Sequence, residues 1–114
     1  MSKTDWKRLT SIELDMAESA RRLGNEGRAR VCARRAAGHV AGEYLHRQGV
    51  AVRNESAIER LRYLEDYPDL SPEEVEIIRH FLIHTTPEHK LPIEADLIAD
   101  VHLLIRQLLN DSLD

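Results

Sequence analysis

The segment from Glu26 to Gln48 places the tightest constraint on the fold. Read as a helix, its roughly 23 residues span about 34 Å. Ala29, Ala33, Ala36, Ala37, Val40 and Tyr44 fall on one side of it, and Val31, Gly38, Gly42 and Leu45 on the other. A helix that is apolar on two sides must be covered on both, so this one is central, with a neighbour on each flank. The chain has 114 residues, room for a single core, so one domain over 1–114 has to supply those neighbours. Gly38 and Gly42 each cost about 1 kcal/mol relative to alanine in a helix interior. Their presence points to a backbone that comes close. Cys32 lies on the same helix and reads as a small core thiol; as the sole cysteine it forms no intrachain disulfide.

The covering elements read as four more helices. The first runs from about Thr4 to Leu23, with Trp6, Leu9, Ile12, Met16, Ala20 and Leu23 as its apolar stripe and Gly24-Asn25 as its stop. Glu13 falls within that stripe, so it is expected at the stripe's edge or paired with an arginine. A third helix, about Glu55 to Asp66, uses Ala57, Ile58, Leu61 and Leu64, and Tyr67-Pro68-Asp69 breaks it. Ser71-Pro72-Glu73-Glu74 is a capping box with proline at the first helical position, opening a fourth helix that runs to about His84. The fifth, about Ile93 to Asn110, carries a broad stripe through Leu97, Ile98, Val101, Leu104, Ile105, Leu108 and Leu109. No useful stretch alternates with period two. The expected fold is all-α, a five-helix, mainly antiparallel up-and-down bundle whose second and fifth helices are the most buried.

Composition narrows the function classes. Hydrophobic residues at 42% exclude a disordered chain, and aromatics at 4% argue against a single-strand reader built on stacking platforms. The first ten residues hold no apolar core of a signal peptide, and no apolar run is long enough to span a membrane. A cytoplasmic protein is expected. The net charge of -4 hides an asymmetry. Residues 1–53 hold 11 Lys/Arg against 6 Asp/Glu, whereas residues 54–114 hold 5 against 14. Two readings fit: halves of one bundle that attract each other, or a basic surface for phosphates on an acidic protein. In the basic half, Arg30, Arg34 and Arg35 are candidate phosphate contacts. At 100° per residue, Arg30 and Arg34 share one side while Arg28 and Arg35 share another, so the alternative is that their stems cover apolar surface.

Chemistry concentrates in Glu76-Ile77-Ile78-Arg79-His80-Phe81-Leu82-Ile83-His84. His80 and His84 are i, i+4, with Glu76 one turn earlier. Three readings compete. The stripe is a solvated or interface face; or it is half of a metal clamp needing a third ligand such as Glu76, His89 or a residue of another chain; or Arg79 and His84 act as a pair. A histidine titrates near neutrality and serves as acid or base, and an arginine fork suits phosphate oxygens. On a straight helix, however, five positions put the two about 140° apart. They meet only if the helix ends between them or if two chains combine.

Arg79-His80-Phe81-Leu82-Ile83-His84 resembles the R-x(4–6)-H signature of HEPN domains, a family of small helical modules associated with nucleotides and RNA. The alanine-rich stretch Arg30 to Leu45 resembles that family's second helix, and Leu91-Pro92-Ile93-Glu94-Ala95-Asp96-Leu97-Ile98 resembles its entry into the last helix. The likeness covers most of the chain. It implies a homodimer with Arg79 and His84 lining a cleft between protomers and His80 in support, cleavage of RNA without a metal or other cofactor, and a nucleotidyltransferase-like protein as partner. Two positions depart from the family pattern: Thr86 where toxin members often have tyrosine, and Gly38 where the second helix often has glutamate. The dimer is expected to use helix four and the segment following it, because Ile77, Ile83 and the neighbouring histidines fall on a face the core stripe does not use. The rival reading is a non-catalytic interaction or dimerisation module.

Overall fold

The computed structural model describes residues 5–51, 56–83 and 95–113. Among them lie five helices and no strand: α1 (Asp5–Arg22), α2 (Glu26–Arg47), α3 (Ala57–Glu65), α4 (Pro72–Leu82) and α5 (Leu97–Leu109). The all-α bundle expected from the sequence is what forms. α2 packs against α1, α3 and α5, and α4 closes the ring between α3 and α5. No described helix is long and apolar enough to cross a membrane.

Local signals account for several helix ends. Gly24 and Gly49 adopt positive φ just beyond α1 and α2, the conformation glycine enters without a Cβ penalty. Ser71 Oγ accepts from the Glu74 backbone N–H while Glu74 Oε1 accepts from the Ser71 N–H, so the capping box is complete. Asp96 accepts from the N–H groups of Ile98 and Ala99 to begin α5. The residues expected to open the third and fifth helices, Glu55 and Ile93, lie outside the described residues.

Contacts between the ends set directions. Lys7 pairs with Asp111 at 3.0 Å and Arg21 with Asp96 at 3.0 Å, so α1 and α5 run antiparallel. Arg47 reaches the Leu109 carbonyl and lies over the Trp6 ring, which ties the end of α2 to the start of α1. Ala57 lies against Gly38, Arg60 against Gly42 and Tyr67 against Tyr44, so α3 follows the sense of α2. A Cβ on Gly38 would sit 2.5 Å from the Ala57 Cβ. This is the close backbone approach that the helix-interior glycine implied.

The core is centred on α2. Ala33, Ala36, Ala37, Val40 and Ala41 are completely buried, as are Leu61, Leu64, Ile78, Phe81, Val101 and Leu104 around them. Cys32 is buried as expected. The stripe of α1 differs from expectation: Trp6, Thr10, Leu14, Ala17 and Ala20 face inward, whereas Ile12 is exposed and Leu23 is 84% exposed. Small residues win the contact because the facing surface of α2 is alanine-lined and the two helices pack closely. Val31, placed on the second apolar side of α2, is exposed as well.

Candidate functional site

α4 ends two residues before the histidine that the motif needs. Its last helical residue is Leu82, and Ile83 is already extended at φ -77° and ψ 129°. A tertiary contact holds this end. Arg34 of α2 donates from Nε to the Phe81 carbonyl at 3.0 Å and from Nη2 to the Ile83 carbonyl at 3.3 Å. These two bonds satisfy acceptors that the end of the helix leaves open, and a cation is favoured at that end of the helix dipole. Burial, and then the nearby charge of Arg30, pulls the Arg34 pKa below its ordinary value.

Arg79 sits in the last turn of α4. Its side chain is 56% exposed and its Nε donates to Glu65 Oε2 at 3.1 Å. His80, the next residue, is largely buried, with Nδ1 2.9 Å from Asp100 Oδ2 and Nε2 3.8 Å from Glu76 Oε1. Asp100, on α5, was not foreseen as a partner; its carboxylate is nearly buried. Burial raises the Asp100 pKa, and the hydrogen bond and charge of His80 oppose that rise. With Nδ1 bound to a carboxylate, the ring is held in one orientation. His84 and His89 lie outside the described residues. Among the described residues no group of three His, Cys, Asp or Glu side chains is placed to hold a metal.

The three candidate phosphate arginines separate. Arg30 and Arg34 lie together near the end of α4, where Arg34 is engaged with carbonyls. Arg35 turns elsewhere, to a cavity described below. Ile77 requires a correction: it is only 7% exposed and belongs to the core, so it is not part of a free face on α4. Its neighbour Ile78 points inward too, because α4 is packed between α3 and α5 and buries a wider arc than its stripe suggested.

A second constellation was missed from the sequence. Glu13 of α1, Arg35, Gly38 and His39 of α2, and Ser56, Ala57 and Arg60 around the start of α3 line a cavity of about 360 Å³. Glu13 neither packs in the core nor forms an ion pair among the described residues, and its Oε2 is buried without a hydrogen bond. Burial, and then the charge of Arg60, lowers the His39 pKa, with Glu13 acting in the opposite sense. The available signal was Arg35, Gly38, His39 and Gly42 at i, i+3, i+4 and i+7, a helical face of small and polar residues.

The chain matches no protein-family model, no curated protein and no solved structure.

Proposed function

We propose that the chain is a HEPN-like dimeric module that cleaves RNA without a metal, with Arg79 and His84 as the reacting pair. One observation carries the reading: α4 stops at Leu82, between the two residues. A continuous helix, with its divergence of about 140°, is therefore not what joins the two, and the Phe81 and Ile83 carbonyls at the end of α4 are held by Arg34. In this reading His84 moves the proton of the attacking 2′-hydroxyl or of the leaving oxygen, and Arg79 offsets charge on the phosphorane. His80, oriented by Asp100, is a positioning residue. Homodimerisation, a nucleotidyltransferase-like partner and a cytoplasmic location belong to the same proposal.

The test is cleavage of single-stranded RNA by purified protein in the presence of EDTA. Arg79→Ala and His84→Ala are each expected to lower the rate by about 10²–10⁴-fold, with helical circular dichroism unchanged; His80→Ala has a smaller effect. Equal background for wild type and both variants on several RNAs overturns the reading. The contact of Arg79 with Glu65 favours a second reading, a non-catalytic interaction module in which Arg79 ties α4 to α3. That module cleaves nothing, and light scattering on the wild type and Arg79→Ala reports whether it assembles.

A further inference from the structure

The cavity between α1, α2 and α3 belongs to neither proposed role. Its lining is chemically unbalanced in a specific way. Arg35 and Arg60 both face it, and neither forms an ion pair among the described residues. Glu13 supplies the one carboxylate of the lining, and its buried Oε2 has no hydrogen bond. A buried carboxylate oxygen without a donor is costly, and two guanidinium groups facing one space repel each other unless an anion lies between them. With His39 neutral, the lining carries two positive charges and one negative. Its volume is at the lower end of the range for small-molecule sites, about 300–1,000 Å³.

The backbone keeps the space open. Gly42 lets the Arg60 guanidinium lie across α2, where a Cβ would come within 2.9 Å of Nη1. Arg60 Nη1 also reaches the Gly38 carbonyl at 3.4 Å, a long contact that leaves the rest of its fork for another acceptor.

We infer that this cavity binds a small anionic zwitterion, with its acid groups on Arg35 and Arg60 and its ammonium on Glu13. Two sources share that chemistry, an acidic amino acid and an aminoalkyl phosphate. Each matches the lining charge for charge and satisfies the Glu13 oxygen, which a simple anion does not.

Calorimetric titration of the full chain tests the assignment with four probes. L-Aspartate and phosphoethanolamine carry the ammonium; succinate and inorganic phosphate are their counterparts without it. At least one aminated probe is expected to bind more tightly than its counterpart and to move the His39 ring resonances in NMR spectra. The tighter of the two aminated probes identifies the source. Arg35→Gln, at an exposed position, is expected to weaken that probe about tenfold, in keeping with loss of a charge-assisted hydrogen bond. Glu13→Gln is expected to abolish the preference for the aminated probe while leaving the helical signal intact. The inference is overturned if no probe binds at millimolar concentration, if both counterparts bind as tightly as the aminated probes, or if Arg35→Gln leaves the affinity unchanged.

Discussion

The end of α4 and the cavity beside α3 both gather charged groups and use them differently. Around α4, Arg79 meets Glu65, His80 meets Asp100, and Arg34 meets two carbonyls. Around the cavity, Arg35, Arg60 and Glu13 face common space with no ion pair among the described residues. In the first region charge is spent on holding helices together, so removing it should register as lost stability. In the second, charge is free to act on something outside the chain, so stability should respond to shape and hardly at all to charge.

The largest effect should come from shape. At Gly38 a Cβ would meet the Ala57 backbone at 2.7 Å, a neighbour that moves only if the start of α3 moves. Gly38→Leu is expected to cost about 3 kcal/mol, the upper part of the range for overpacking, measured as a shift in the urea midpoint. Gly42→Ala meets only the tip of the Arg60 side chain. There the gain in helix propensity, about 1 kcal/mol, offsets the displacement and leaves stability near the wild type. Equal losses at both glycines would show that the two positions do not differ as the geometry says.

Next comes the arginine contrast. Arg34→Ala strips the Phe81 and Ile83 carbonyls of their donor in a half-buried setting and is expected to cost about 1–3 kcal/mol. Arg35→Gln, one residue along the same helix, should stay within about 0.5 kcal/mol. If thermal melts place the two together, the division between spent and free charge fails.

These neighbouring arginines also mark how far the sequence could be read. The two-sided apolar pattern of α2 (Val31 excepted), the capping box of α4 and the broad stripe of α5 are local signals, and all three are realised. Periodicity alone set the expected face of α1 on Ile12 and Leu23, but the alanine surface of α2 selected Thr10, Leu14 and Ala17 instead. The end of α4 is held by Arg34, 47 residues away from Phe81, a contact that no local pattern encodes, although the nearby Thr85-Thr86-Pro87 sequence points to a helix end in this region. Asp100 likewise reads as a surface residue within an apolar helix until His80 is placed against it. Of the candidate site, the residue types were legible. Their grouping, which depends on contacts between helices, was not.

A smaller effect separates the regions by pH. Burial raises the pKa of Asp100 in the folded chain, so the folded state binds its proton more tightly than the unfolded state does. Its contribution to stability is present at acid pH and is lost as pH rises through the folded carboxyl's pKa. His39 behaves in the opposite sense. Its folded pKa is lowered by burial and by Arg60, so its contribution is present above the ordinary histidine value of about 6.5 and is lost as pH falls through the lowered value. Urea unfolding from pH 4 to 8, in about the range where both groups titrate, should therefore show Asp100→Asn flattening the acid limb and His39→Gln flattening the limb below neutrality. Matching slopes in both variants would mean that neither environment differs between folded and unfolded chains.

Among the charges around α4, the smallest stability effect is expected at the residue with the largest proposed chemical role. The Arg79–Glu65 pair is exposed, and such pairs contribute about 0–1 kcal/mol. Arg79→Ala and Glu65→Gln should each shift the urea midpoint by no more than that, and by similar amounts, since each breaks the same contact. Cleavage separates them. If Arg79 serves phosphate, Glu65 competes for the same guanidinium, so Glu65→Gln should raise the rate by at most about fivefold, the factor that 1 kcal/mol represents, while Arg79→Ala abolishes it. If Arg79 is only a tie between α4 and α3, both variants lose the same small stability and neither changes the processing of RNA. Two substitutions that are alike in stability and opposite in rate would place Arg79 among the charges free to act outside the chain, despite its position in the region where the others are spent.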